Sequence, residues 1–397
     1  MGQSSSKSNK PPDWKELVDK NKWYFEKALK LKFVAVEGIG YHGGSLIFSQ
    51  RDSNGKEIRK INVKYARDRQ AAQLLANEAL CLSDLRGSSH FPQLISLPQT
   101  TIRIGASDRE YPIIALEYIP YGSLADLRAR VSAHGFRIPN NILWHVFRCM
   151  VRQILGMRNT LQLPRGQPVQ QEQPFRVATS SITHNQPHGR FYKFGGVEAK
   201  DDDEHEHLPI LKLTDFSRGR REDLSMDGYD EEAKQDAYHI NVRAAGRVME
   251  WLACNLTDED QFSTPQTSKV TLRNKQMESI DEEASREILM TNAHRVFFLD
   301  GGLDPALREL VARCLAVRQQ DMPPYQQLLE LTDDGARART WEDIPNLPDD
   351  RVWDFNEEIS KDFVQAYIYD AALSTRSILR ASDLAERWRL YDPYGDL

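Results

Sequence analysis

The hydrophobic period of this chain switches from that of strands to that of helices near residue 66, and the switch limits what it can fold into. Phe33–Val36, Ser45–Ser49 and Ile58–Tyr65 have strand character, with the turn Asp52-Ser53-Asn54-Gly55 between the last two. Helical spacing then covers residues 67–86, and Tyr111–Ile119 reads as a buried strand. Helices are expected over 123–133, 139–158, about 235–253, 304–317 and 322–332. Strands followed by helices predict an α+β unit with a small β-rich lobe and a larger helical lobe. A chain of 397 residues is long enough for such a two-lobed unit with extensions.

The flanks differ from the body. Residues 1–12 are a polar tail, and Asp13-Trp14-Lys15-Glu16 is a capping box for a Lys-rich helix over 13–32, with Trp14, Leu17, Val18 and Phe25 on one side. These first 32 residues carry +4, and the remainder carries −10. Two polar insertions are expected, a mobile Gln/Pro-rich loop at 159–180 and a weakly periodic stretch at 255–290. Residues 333–397 form a C-terminal extension; nine aromatics within 341–397 predict that it packs on the body. There is no internal repeat.

Composition excludes several classes. With 40% apolar and 28% charged residues the chain is not wholly disordered, and a net charge of −6 argues against a general nucleic-acid binder. The cysteines Cys81, Cys149, Cys254 and Cys314 are scattered without a CxxC pair, as expected in a reducing, cytoplasmic setting. No run of about 18 apolar residues suits a membrane span, and the N-terminus lacks a signal-peptide core.

Gly38-Ile39-Gly40-Tyr41-His42-Gly43 lies between two expected strands. Such a run either cradles phosphate with its backbone N–H groups or simply makes a glycine-rich hairpin turn. Lys64 follows in an apolar strand, where an ammonium is costly unless it is paired or faces solvent from a sheet edge. Glu78 sits at helical spacing from Ala71, Leu75 and Leu82, so it points inward and needs a cation. Pairing Lys64 with Glu78 satisfies both.

Glycine loop, strand lysine and helix glutamate in this order resemble the phosphate-gripping half of the protein kinase-like superfamily, especially its divergent members common in filamentous fungi. The resemblance spans about residues 33–332 and implies a two-lobed fold, with a small lobe over 33–119 and a large lobe over 120–332. It places Leu116 as gatekeeper and Glu117 and Ile119 in the adenine hinge. Asp215-Phe216-Ser217 is similar to the metal-binding DFG segment, which makes Asp215 the magnesium ligand. Asn241–Leu252 and Leu307–Leu315 resemble helices of the large lobe. ATP, gripped by Gly38, Gly40, Gly43 and Lys64, and Mg are the cofactors so implied.

The pattern breaks where catalysis would occur. His184 and His188 fit an HxDxHxxN loop, but Gln186 stands for its aspartate and Phe191 for its asparagine. No aspartate occurs between Asp126 and Asp201. An amide is no general base and a phenyl ring no magnesium ligand, and losing general-base help alone is worth about 10²–10⁴ in rate. Asn62 replaces the small residue over adenine, Lys193 falls on its apolar floor, and Met322 replaces an arginine whose usual APE-like partner segment is also missing. The expectation is a pseudokinase that binds nucleotide and serves as a binding or signalling scaffold for an unknown protein. The alternative is a weak Ser/Thr or small-molecule phosphotransferase, compensated by His188, Glu172 or Asp203. Metal binding by His184, His188, His205 and His207 is a further reading.

Met1-Gly2-Gln3-Ser4-Ser5-Ser6 fits N-myristoylation of Gly2. Lys7 and Lys10 supply the second signal that one acyl chain requires, so peripheral attachment to an anionic membrane surface is expected.

Overall fold

The computed structural model describes residues 18–19, 21, 23–39, 43–103, 110–160, 163–164, 167, 169–172, 180–185, 188–195, 205, 208–223, 231–254, 267–273, 286–299, 301–338, 340, 342 and 356–372. Helices and strands are mixed, and the chain divides into two compact units: residues 1–86, 92–118 and 215–219, and residues 87–91, 119–214 and 220–397.

In the first unit a π-helical turn, Trp23–Ala28, precedes β1 (Leu31–Ile39), β2 (Gly43–Arg51) and β3 (Glu57–Ala66). Helix α1 (Arg69–Asp84), β4 (Leu94–Ile95), β5 (Thr101–Arg103) and β6 (Glu110–Glu117) follow. All pairings are antiparallel, in the order β1-β2-β3-β6-β4, with β5 also on β6. Alternate residues of three strands, Leu46 and Phe48, Ile61, Val63 and Tyr65, and Ile113 and Ala115, turn one face into a core. Phe25 closes that core by stacking on Phe48 at 4.5 Å. The opposite face receives α1, whose Ala71 and Leu75 pack on Ala66 and Ile114. Asp68 caps α1 by accepting from Ala71 N–H at 2.8 Å.

The expected long helix over 13–32 takes another form within the described residues. Tyr24 and Phe25 are both buried while Trp23 is 72% exposed. The Tyr24 hydroxyl donates to Gln99 O at 2.7 Å, and Lys30 ends the turn at φ 53°. Packing of two adjacent aromatics, not helical periodicity, sets the winding here.

The second unit contains α2 (Leu124–Ala133), α3 (Asn140–Arg158), β7 (Ser180–Thr183), β8 (Tyr192–Phe194), β9 (Leu211–Leu213) and β10 (Arg220–Asp223). Then come α4 (Glu231–Ala253), β11 (Ser268–Arg273), β12 (Arg286–Thr291), α5 (Pro305–Cys314), α6 (Tyr325–Arg337) and α7 (Glu357–Val364). The strands form three antiparallel pairs, β7–β10, β8–β9 and β11–β12. Helix α3 is buried along most of its length, including Trp144, Phe147, Met150 and Ile154. Trp144 Nε1 donates to Asp304 Oδ2 at 2.8 Å, and Arg148 Nε meets Asp333 at 2.6 Å.

Parts of both expected insertions lie among the described residues. Residues 255–290 contain β11 and the start of β12, because Val270 and Leu289 pack on Ala312, Ala316 and Met322. Met322, which stands where the resemblance would place an arginine, is thus covered by apolar side chains. In 159–180, Gln170 N–H donates to Gly87 O at 2.6 Å and Glu172 is 1% exposed, so these positions are anchored rather than loose. In the C-terminal extension, Tyr367 O accepts from Arg130 Nη1 at 2.7 Å and Tyr369 meets Tyr121 edge-on at 4.8 Å. Among the described residues, no helix is long and apolar enough to cross a membrane.

Candidate functional site

Lys64 lies in β3 between β2 and β6, opposite Ser45 and Ile114, so it is not an edge-strand lysine. Its side chain shares the face covered by α1, where Glu78 is 2% exposed. Lys64 Nζ meets Glu78 Oε1 at 2.6 Å. Burial alone would lower the Lys64 pKa, but Glu78, Asp215 and Glu37 outweigh it and hold the ammonium above its usual value of 10.5. Burial pushes the Glu78 carboxyl up, with Lys64 opposing and Asp215 adding to the rise.

Glu78 also accepts the backbone N–H of Phe216. It therefore ties the β3 lysine to the segment Asp215–Gly219, which belongs to the same unit. Asn77 completes the attachment. Its Nδ2 donates to the carbonyls of Phe216 at 3.3 Å, Ser217 at 3.1 Å and Gly219 at 2.8 Å. The short turn Phe216–Arg218 is held there with Phe216 fully buried. Asp215 enters it at φ 65°, ψ 67°, a left-handed conformation that costs a non-glycine residue about 1–2 kcal/mol. Such strain persists only where surrounding bonds over-determine it, and Asn77 and Glu78 supply those bonds. Asn77 carries no sequence signal, because its partners are backbone carbonyls about 140 positions away.

The glycines answer to different demands. A Cβ on Gly43 would lie 2.2 Å from Tyr65 O, so β3 itself requires glycine there. A Cβ on Gly38 would meet nothing within 4 Å, and the fold sets no steric demand. Gly40 lies outside the described residues. On β3, Asn62 donates to the Glu37 carboxylate and accepts from Ser45 Oγ at 2.5 Å. A polar Glu37–Ser45–Asn62 network therefore stands one alternate position from Lys64. Leu116 is buried in β6, and Glu117 donates its N–H to Gln93 O at 3.0 Å. Ile119 lies beyond β6 and belongs to the second unit.

The second unit holds the segment from His184 to Phe191. His184 Nε2 lies 2.9 Å from Thr214 O, and its N–H donates to Asn241 Oδ1 at 3.2 Å. His188 Nδ1 accepts Arg190 N–H at 3.1 Å. The Phe191 ring lies between the two imidazoles, 5.8 Å and 6.3 Å away, while its carbonyl accepts from Thr214 N–H at 2.8 Å. Phe191 is thus an aromatic packing residue. Gln186, His207, Asp203 and Gly2 lie outside the described residues. His205 Nε2 sits 3.4 Å from Cys149 Sγ. Glu172 is bound to His90 at 2.6 Å, which removes its carboxylate from the candidate bases.

No protein-family model matches the chain, and no curated protein does. What remains is the chemistry of the residues. In the first unit an ammonium is kept charged among three carboxylates, one of them on a strained turn. That arrangement can grip a polyphosphate whose charge a hard cation offsets. The one thiol near the turn, Cys81, is fully buried, and Ser45 is engaged with Asn62 and Glu37.

Proposed function

We propose that the chain is a protein kinase-like nucleotide binder that has lost efficient phosphotransfer and acts as a binding or signalling scaffold. The fold that goes with this reading is two-lobed, with the small lobe over 33–119 and the large one over 120–332. One observation carries it: Glu78 holds Lys64 on one side and Phe216 N–H on the other, beside Asp215. This is the arrangement by which a strand lysine contacts phosphates while an aspartate holds magnesium. Because Glu37, Glu78 and Asp215 outnumber Lys64, a bare polyphosphate is disfavoured and its magnesium complex favoured.

The loss of catalysis rests on the absence of an aspartate between Asp126 and Asp201, and on Phe191 being packed between histidines. The scaffold role rests on what such a module can still do, which is to bind. Attachment to an anionic membrane through an acylated Gly2, with Lys7 and Lys10, belongs to the same proposal. It requires Gly2→Ala to move the protein from the pelleted to the soluble fraction.

The deciding experiment is a calorimetric ATP titration with and without magnesium, beside a transfer assay. Magnesium-dependent binding is expected, weakened at least tenfold in Lys64→Met and Asp215→Asn, with no transfer to the protein itself or to generic substrates. Absence of binding would sink the reading. Robust transfer abolished by Asp215→Ala would establish the phosphotransferase alternative instead.

A further inference from the structure

The second unit brings together four side chains that the nucleotide reading does not use. His90 lies in the segment 87–91, Cys149 in the middle of α3, and His205 in the chain before β9. They are 0%, 4% and 9% exposed. One donor atom from each lies within 4.8 Å of the others. Cys149 Sγ and His205 Nε2 are 3.4 Å apart. Zinc bound tetrahedrally, at about 2.3 Å to sulfur and 2.0–2.1 Å to nitrogen, sets neighbouring ligand atoms roughly 3.5 Å apart.

Glu172 explains how His90 is oriented. Its carboxylate takes the His90 ring at Nδ1, 2.6 Å away, and accepts the His90 backbone N–H at 3.0 Å. Ser89 Oγ reaches the same carboxylate at 3.3 Å. Glu172 occupies Nδ1, and the other ring nitrogen, Nε2, is buried without a hydrogen-bond partner. A buried polar atom left without a partner is costly, and a metal ion taking the place of the Nε2 proton would relieve it. A carboxylate behind a histidine is the usual outer support of a metal-bound imidazole.

We propose that His90 Nε2, Cys149 Sγ and His205 Nε2 are the protein ligands of a zinc-class cation, with Glu172 as the positioning residue behind His90. The donor set selects the metal. One sulfur and two imidazole nitrogens, without a ligating oxygen, suit zinc and disfavour magnesium or calcium. The burial that bars a substrate from Cys149 does not bar an ion. The cation would pin three distant stretches of chain to one another. Leu213 N–H already donates to His90 O at 3.0 Å, so β9 would be fixed at both of its ends.

The test uses the full chain, titrated with zinc and then with cobalt. One zinc per chain is expected, measured by elemental analysis after removal of excess metal. Cobalt should give a thiolate-to-metal charge-transfer band in the near ultraviolet. Cys149→Ser should abolish the band, and His205→Gln should weaken binding at least tenfold. Glu172→Gln should keep the band and lose about 10–100-fold in affinity, while Cys254→Ser should change nothing. Should the variants fail to fold, the wild-type spectrum alone decides. Wild-type protein that binds no zinc, or cobalt bound without a thiolate band, overturns the proposal, as does unchanged affinity in Cys149→Ser.

Discussion

Gly38 and Gly43 belong to one glycine run, yet substitution should separate them. Gly43→Ala drives a methyl into Tyr65 O, a backbone atom that cannot step aside. Overpacking of this kind costs about 1–3 kcal/mol. Gly38→Ala meets open space and should stay within about 0.5 kcal/mol of wild type by urea unfolding. If it also weakens nucleotide binding, the glycine serves a ligand rather than the fold. Lys64 and Glu78 give a second residue-scale prediction. Lys64→Met strands a carboxylate that is 3% exposed, whereas the lysine it loses was 21% exposed. The cost should be about 2–4 kcal/mol, toward the low end of what breaking a buried pair costs. Adding Glu78→Leu should recover part of it, and a double-mutant cycle without coupling would refute the pairing. The raised Lys64 pKa fixes the sign with pH. Its stabilisation is complete below 10.5 and is lost as pH rises through the higher folded value, so wild type should lose at high pH an advantage that Lys64→Met never had. This pair was legible in the sequence because each residue was placed inward by period with no other neighbour to satisfy it. His90 and Cys149 were not legible, since each stands alone in sequence and only the fold joins them.

At the scale of elements, α1 does more than cover the sheet. Its polar edge carries Asn77 beside Glu78, and together they hold the turn that Asp215 enters. Asn77→Leu leaves the Ser217 and Gly219 carbonyls without this donor, while Phe216 O keeps the Gly219 N–H at 2.9 Å. The expected loss is about 1–3 kcal/mol, with faster hydrogen exchange over 215–219 and weaker magnesium-nucleotide binding. Unchanged exchange there would show that Asn77 is incidental. In the second unit α3 and α6 approach so closely that a Cβ on Gly335 would lie 2.2 Å from the Trp144 ring. Gly335→Ala should therefore destabilise despite its better helix propensity, and a neutral or stabilised variant would contradict the packing. Helices α1 to α6 and strands β1, β2, β3 and β6 were readable from periodicity to within about five residues, whereas α7 was not expected. The β11–β12 pair was not readable, because its stretch is rich in polar residues, and of its apolar ones Val270 and Leu289 pack on Ala312, Ala316 and Met322 while Ile288 and Met290 are exposed. The π-turn Trp23–Ala28 was hidden for a similar reason, since its winding follows from Tyr24 and Phe25 packing on distant residues.

At the scale of the whole molecule, the two units carry separate chemistry. Lys64, Glu78 and Asp215 all belong to the first, and His90, Cys149, Glu172 and His205 all belong to the second. A ligand stabilises the state that binds it by an amount set by its concentration over Kd, about 2.7 kcal/mol at a hundredfold excess. Magnesium-nucleotide and zinc should therefore protect different stretches of chain from hydrogen exchange. The nucleotide should slow exchange in β1–β3 and in 215–219. Zinc should slow it around 87–91, in the middle of α3 and over 208–213. Stripping zinc with a chelator should lower the midpoint of thermal unfolding and speed exchange in the second set first. Saturating with nucleotide should leave that second set unchanged if the two sites are energetically independent. If zinc removal also weakens nucleotide binding, the link has an evident covalent route, since β9 runs directly through Thr214 into the strained Asp215. Linkage requires the reverse effect at equal strength, so nucleotide would then tighten zinc by the same factor. Zinc that protects only the first unit's strands would refute this assignment of ligands to units.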